Sequence, residues 1–256
     1  MKIGVVGLGL IGGSIFKALS EFHEVIGISH SQKNSQENIT DDLNALKDCE
    51  IVFVATHMNK TIKILDELNE ILDENTVVAD VCSLKEFVCK KEYNFNFVPT
   101  HPMAGTENTG FKHSFKELFQ GAKWVICKKN CPENLKKVIQ QMGAKIIFAT
   151  PKEHDEAVAF ISHMPMVLSQ ALFKSVQGNK LALHLASSGF RDMTRLALSS
   201  EEMAEDMVNM NYKNIQNAIL KLYASVGDLI KEDYRNEICN IKQERLKMYK
   251  DGKNIL

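Results

Sequence analysis

An excess of charge of either sign is missing from this sequence. Its 256 residues carry 31 Lys+Arg against 32 Asp+Glu, a formal net charge of -1. So weak a field does not recruit a nucleic-acid backbone, and no nucleic-acid partner is expected. Long apolar runs are also missing. None approaches the roughly 20 residues that a bilayer span requires, so no membrane partner is expected. Paired cysteine motifs are absent. Cys49, Cys82, Cys89, Cys127, Cys131 and Cys239 form no CxxC pair, and no histidine near Cys127 and Cys131 completes a zinc site. We expect free, mostly buried thiols, a cytoplasmic protein and no metal. Internal repeats and low-complexity linkers are absent too. What is present is ordinary globular composition, 45% apolar and 25% charged, enough for a full core.

The first residues imitate a signal peptide, with Lys2 before an apolar stretch. Gly7, Gly9, Gly12 and Gly13 interrupt that stretch and no A-x-A-like cleavage site follows, so it reads as mature protein. Short β-branched runs then alternate with helical stretches. Strands are expected over 3–6, 24–28, 51–55, 77–80, 97–100, 123–127 and 146–148. Helices are expected over 11–20, 42–47, 60–72 and 133–142, the last ended by Gly143. That alternation predicts an α/β fold with a Rossmann-like, mostly parallel sheet covered on both faces. The character changes at Thr150-Pro151. Beyond it helices are expected over 152–177, 180–187, 200–210, 211–230 and 232–250, the first kinked by Pro165. Acidic Glu153, Asp155 and Glu156 suit the first helical turn, Ser199 with Glu202 fits a capping box, and the tail 247–256 is expected to fray. The domains are therefore 1–150, a dinucleotide-binding domain, and 151–256, an all-helical domain.

Gly7-Leu8-Gly9-Leu10-Ile11-Gly12 is G-x-G-x-x-G, directly after a strand and opening a helix. Gly7 permits the turn, Gly9 lets a pyrophosphate approach the backbone, and Gly12 lets helix and strand pack closely. Gly13 extends the phosphate-facing turn, and Thr56 joins the cofactor side at the end of a later strand. An NAD site wants a carboxylate about 20 residues on, at the end of the second strand. Ser29, His30 and Ser31 stand there instead. Ser29 accepts a 2′-phosphate without repulsion and His30 or Lys33 adds charge, so NADP is favoured over NAD.

Two polar clusters, 80–85 and 100–110, end strands on the side where open parallel sheets bind ligands. A third lies in the helical part: Ser162-His163-Met164-Pro165, then Gly189-Phe190-Arg191-Asp192-Met193-Thr194-Arg195. Arg191 and Arg195, four apart on a helix, share a face. They are either a solvated salt-bridge patch with Asp192 or a clamp for a carboxylate.

Together, Gly7–Ser14, Asp80–Lys85, His101-Pro102-Met103-Ala104-Gly105-Thr106-Glu107 and the two helical segments resemble the prephenate/arogenate dehydrogenase family of tyrosine biosynthesis, in order from residue 1 to about 210. The resemblance implies oxidative decarboxylation of prephenate to 4-hydroxyphenylpyruvate, with hydride passed to NADP or NAD. It implies His101 as the base for the C4 hydroxyl, Ser83 on the same hydroxyl or orienting His101, and Arg195 on a substrate carboxylate. Arg191 and Asp192 support that network, Thr106 and Glu107 line or gate the pocket, and His163 joins the substrate side or packs at the Pro165 kink. It also implies a homodimer through the helical domain, whose Met203, Met207, Met210, Leu220 and Leu222 either form their own core or bury in a twofold interface. Alternatives are arogenate oxidation, giving tyrosine directly, or a dinucleotide sensor without turnover. The sequence departs from the family at Met166, where a second histidine is usual, at Ala204 in place of Trp, and at Cys82 in place of Gly. The stretch from Ser29 to Asp48 is also shorter than usual, which leaves little room for a helix after the second strand.

Overall fold

The computed structural model describes residues 1–33, 35–106, 108–231, 234–250 and 253–254. Strand β1 (Lys2–Val6) enters helix α1 (Leu10–Leu19), and β2 (Glu24–Ile28), β3 (Ile39–Thr40) and β4 (Ile51–Val54) follow. After β4 come α2 (Met58–Asn69), β5 (Val77–Asp80), β6 (Asn96–Pro102), β7 (Lys123–Ile126), α3 (Glu133–Gln141) and β8 (Lys145–Phe148). The strands form one sheet in the order β3-β2-β1-β4-β5-β6-β7-β8. Strands β1 to β6 are mutually parallel, β7 pairs antiparallel with β6, and β8 runs parallel to β7. This is the mostly parallel Rossmann-like sheet expected from the alternation of short apolar runs and helices.

Both faces are covered because α1 and α3 supply one apolar stripe and α2 another. Ile15, Phe16 and Leu19 of α1 join Leu135, Val138 and Ile139 of α3 over Ile3, Val5 and Phe53. Leu65 and Leu68 of α2 lie over Val6, Val52, Val54 and Val78. Burying each such side chain contributes about 1.5–3 kcal/mol, so these two layers account for most of the favourable folding term. The expected helix over 42–47 is only a 3-10 turn, Leu43–Leu46, capped by the Asp42 side chain. The two-residue β3 carried too little pattern to be expected.

The helical part departs from expectation in several ways. A continuous helix begins as α4 (Pro151–Val158), widens into one π turn (Ala159–His163) and continues as α5 (Met164–Val176). The π turn ends two residues before Pro165, which brings no N–H to the helical ladder and crowds the carbonyl of Ile161 one turn back. This helix is long and apolar enough by composition to cross a membrane, with 28% of its most apolar stretch buried. Counting unbroken apolar runs missed it because isolated polar residues such as Ser162 and His163 interrupt the run without lowering its average enough. His154, Asp155, Val158, Ala159, His163, Met166 and Ser169 on it are buried.

After α6 (Lys180–His184) comes α7 (Ser188–Met193), shorter than the helix expected to carry both Arg191 and Arg195, then α8 (Glu201–Met210). The expected Ser199–Glu202 capping box does not form. Ser200 is the N-cap without a side-chain bond, Ser199 donates to the carbonyl of Leu196 at 2.7 Å, and Glu202 accepts from Asn59 at 3.2 Å. A true box sits at Thr150, which caps Glu153 and is capped by it in return.

Residues Met1–Tyr212 form one compact unit and Lys213–Leu256 a second. The second holds most of α9 (Tyr212–Leu229), α10 (Tyr234–Met248) and a short antiparallel pair, Tyr249–Lys250 with Lys253–Asn254, in the tail expected to fray; residues 251, 252, 255 and 256 lie outside the described residues. Leu220, Tyr223, Val226, Ile230, Tyr234, Ile238 and Ile241 are exposed along it.

Candidate active site

The glycine turn is built as its spacing implies. Gly7 adopts φ 89°, and a Cβ there would meet the Ala55 carbonyl oxygen at 2.6 Å. A Cβ on Gly12 would stand 1.9 Å from the Gly7 carbonyl oxygen, so only glycine lets α1 start against the end of β1. Around Gly9, by contrast, nothing lies within 4 Å of an added Cβ. Helix α1 opens with no side-chain cap and no acidic residue in its first turn. Its first N–H groups therefore remain available to an anion, in the field of the helix dipole. These features fit a pyrophosphate at Gly9, Leu10 and Ile11, with Leu8 buried beneath. Gly13 has a different surrounding. It abuts Phe111 and Ser114, where a Cβ would come within 2.7 Å of both, and neighbouring Ser14 is fully buried.

At the end of β2, Ser29 Oγ lies 3.3 Å from Ser31 Oγ and accepts the Gln32 N–H at 3.3 Å. Lys33 is near this position but is paired with Asp41 at 2.8 Å, and the exposed His30 ring lies 3.7 Å from the same carboxylate. The Lys33 hydrogen bond leads in holding the Asp41 carboxyl below its ordinary value. The carboxylate that the sequence lacked at the end of β2 thus stands just after β3. Thr56, after β4, lies 3.1 Å from Thr61, hydroxyl to hydroxyl.

The ends of β5 and β6 are locked together by a buried network. Asp80 and Lys85, both fully buried, form an ion pair. Lys85 also donates to the Thr100 carbonyl at 2.5 Å, Asp80 accepts the Thr100 N–H at 3.1 Å, and Thr100 Oγ1 donates to the Asp80 carbonyl at 2.6 Å. Each charge thereby has several partners, as burial demands. This lock sets the position of Ser83, after β5, and of His101, within the end of β6; both are partly buried.

His101 Nδ1 lies 2.9 Å from Nε2 of His154, and His154 Nδ1 lies 2.7 Å from Oδ1 of Asp155. The Asp155 carboxylate also accepts the N–H groups of Lys85 at 2.8 Å and Glu86 at 2.9 Å. Neither His154 nor Asp155 stood out in the sequence as a site residue. Burial, then His154, Lys85 and His163, hold the His101 ring well below the ordinary histidine range, so it is neutral near pH 7. His163 is buried in the π turn, 3.1 Å from Asn211 Nδ2, and burial above all pushes it down to about 4.

The remaining expected residues are differently placed. Thr106 is exposed and accepts the Asn108 N–H at 3.2 Å; Glu107 lies outside the described residues. Arg191 and Asp192 pair at 3.3 Å with side chains 79% and 71% exposed. Arg195 is exposed, and it does not share a helix with Arg191. Helix α7 stops at Met193, Thr194 bonds back to Phe190 at 2.7 Å, and Arg195 begins a 3-10 turn.

A parallel sheet with an anion-ready glycine turn at one strand end and a neutral, hydrogen-bonded histidine at another is the build of a nucleotide-dependent enzyme. The comparisons with known proteins agree and narrow the class. This chain belongs to the prephenate dehydrogenase family: the family's nucleotide-binding domain matches residues 13–148 and its dimerization domain residues 150–246. It is 30% identical over 240 residues to the prephenate dehydrogenase of Bacillus subtilis, covering 82% of this chain and 64% of that protein, just under two thirds of its length. It is 27% identical over 235 residues to the cyclohexadienyl dehydrogenase of Zymomonas mobilis, covering 82% and 80%. Among solved structures, Synechocystis arogenate dehydrogenase superposes with a TM-score of 0.80 at 31% identity, covering 95% of this chain and 97% of that one.

Proposed function

We propose that this protein catalyses the oxidative decarboxylation of prephenate to 4-hydroxyphenylpyruvate. The observation that carries the reading is His101: neutral, hydrogen-bonded through Nδ1, at a strand end on the same sheet edge as the glycine turn. Membership of the prephenate dehydrogenase family supports it. His101 takes the proton of the C4 hydroxyl as hydride leaves C4. The C1 carboxylate departs as CO2, and its bonding electrons enter the ring, which becomes aromatic. A nicotinamide dinucleotide on Gly7, Gly9 and Gly12 supplies the hydride acceptor. Ser83, one strand end away, holds the same hydroxyl or orients His101. Arg195, with Arg191 and Asp192, takes a substrate carboxylate, while Thr106 edges the pocket and buried His163 supports its wall.

NADP is the favoured form, because Ser29 offers a 2′-phosphate a hydroxyl and no repulsion. Asp41 weakens that preference by neutralising Lys33 and lying near His30. Arogenate is the second reading for the substrate, supported by the likeness to Synechocystis arogenate dehydrogenase. Residues 1–150 are the dinucleotide-binding domain and 151–256 the helical domain. The exposed apolar row on α9 and α10 fits burial in a homodimer, as does the dimerization-domain match. Free cysteines at all six positions agree with a cytoplasmic protein.

The test is absorbance at 340 nm with prephenate and NADP or NAD. Wild type is expected to turn over, and His101→Asn to lose roughly 10²–10⁴-fold, the contribution of a positioned general base. NADP is expected to give the higher kcat/KM. No turnover of prephenate or arogenate with either cofactor overturns the reading.

A further inference from the structure

One buried cluster has no part in the mechanism so far: His154 and Asp155, at 3% exposure each, between His101 and the N–H groups of Lys85 and Glu86. Proton bookkeeping along it has few solutions. A carboxylate only accepts hydrogen bonds, so at 2.7 Å from Asp155 the His154 Nδ1 must donate. Neutral His154 then has a bare Nε2, which can only accept. Its partner at 2.9 Å, His101 Nδ1, must therefore carry a hydrogen. Neutral His101 is left with its lone pair on Nε2, the nitrogen not engaged in the relay. We propose that Asp155 and His154 are positioning residues that hold His101 as the Nδ1–H tautomer and so make Nε2 the proton acceptor. The inference rests on the reading of His101 as the base.

The relay also has a place for the proton's charge. When Nε2 takes the substrate proton, the new positive charge sits on a ring hydrogen-bonded through His154 to a carboxylate. A relay that already holds one extra proton behaves oppositely: His154, protonated on both nitrogens, donates from Nε2, and His101 turns its hydrogen to its own Nε2. Activity therefore falls in acid with the protonation of the relay as a unit. The groups facing it are Asp80, Lys85 and Glu86 at the end of β5 and in the turn after it, Asp155 on α4 and His163 in the π turn. Lys85 and His163 oppose protonation of His101.

Asp155→Asn is the sharpest variant. It keeps the shape and one acceptor oxygen, but its amide can donate to His154 Nδ1 and reverse every donor along the chain. Loss of kcat by roughly 10²–10⁴-fold is expected, as for wrong-tautomer variants of hydrogen-bonded histidines, with KM and cofactor Kd changed less than threefold. His154→Gln is expected to lose at least tenfold in kcat and to shift the acid limb of the pH profile. A second readout needs no turnover. With 15N-labelled histidine, and the His101 signals identified by their loss in His101→Asn, wild type is expected to show a protonated Nδ1 and a bare Nε2. Asp155→Asn is expected to reverse them. A bare Nδ1 on wild-type His101 overturns the relay, as does Asp155→Asn with kcat within threefold of wild type. A correct tautomer in a protein that turns over neither prephenate nor arogenate upholds the relay and overturns the function proposed above instead.

Discussion

The cluster of Asp80, Lys85 and Asp155 and the cluster of Arg191, Asp192 and Arg195 contain the same kinds of groups in opposite circumstances. In the first, every charge is buried and answered by several partners, Thr100, the Cys82 N–H and the backbone of Lys85 and Glu86 among them. In the second, one ion pair at 3.3 Å stands in solvent and Arg195 is exposed. Buried charges cannot shift without large cost, so they fix geometry. Exposed pairs contribute at most about 1 kcal/mol and can re-form around an incoming anion. The chain thus separates two tasks. Strand ends, and the His101 proposed as base, are set rigidly by the sheet, whereas the guanidinium groups proposed for a substrate carboxylate stand in solvent, where they can turn toward it.

The largest expected effect tests the rigid side. Lys85→Met leaves Asp80 buried without its counter-charge and is expected to cost about 3–5 kcal/mol of stability, read from urea unfolding. A loss below 1 kcal/mol would mean that the lock is not what holds β5 and β6 together. Next comes the pH dependence of stability. His163 in the fold titrates at about 4 instead of 6.5. Between those values the unfolded chain binds a proton that the folded chain refuses. Stability is therefore full above about pH 6.5 and declines as pH falls toward 4, on the order of 3 kcal/mol for this group. His163→Gln is expected to flatten that decline, as measured by unfolding at pH 7 and pH 5. The smallest effect on stability belongs to the exposed side. Arg195→Ala is expected to change it by no more than about 0.5 kcal/mol. The same change is expected to raise KM roughly 10- to 100-fold, from the ~1.5–3 kcal/mol of a hydrogen bond to a charged group. Equal destabilisation by Lys85→Met and Arg195→Ala would erase the contrast between the two clusters.

How far the sequence discloses such things depends on their range. The glycine turn is local, and its three spacings announce the strand, the helix and the anion site together. Strand ends carrying Ser83 and His101 follow from the apolar alternation around them. The sequence shows Asp155 only as part of an acidic helix start and gives His154 no role, because its partner His101 lies 53 residues away in the chain. A signal was nonetheless there. His154, Asp155, Val158, Ala159, His163 and Met166 recur at helical spacing, so two ionisable residues occupy an otherwise core-facing stripe, where they need partners. The shared face expected of Arg191 and Arg195 failed for a local reason: Thr194 bonds back to Phe190 and ends the helix between them. The Ser199–Glu202 box failed because the helix starts one residue late, with Ser200 as its N-cap, and Glu202 turns instead to Asn59, distant in sequence. Matching the spacing of a motif establishes what is possible; competition from across the fold decides what forms.

The π turn at Ala159–His163 sets the phase of the helix that follows it. It holds one residue more than a regular α turn would, so α5 is rotated relative to α4 by that single insertion. Were that turn to revert to α spacing with all its residues kept, everything beyond it would swing by about 100°. Met166 and Ser169, now inward, would face water, while most of the surrounding helix stayed helical. The inward phase of Met166 and Ser169, and with it their place in the core, is thus held by the geometry of a single turn.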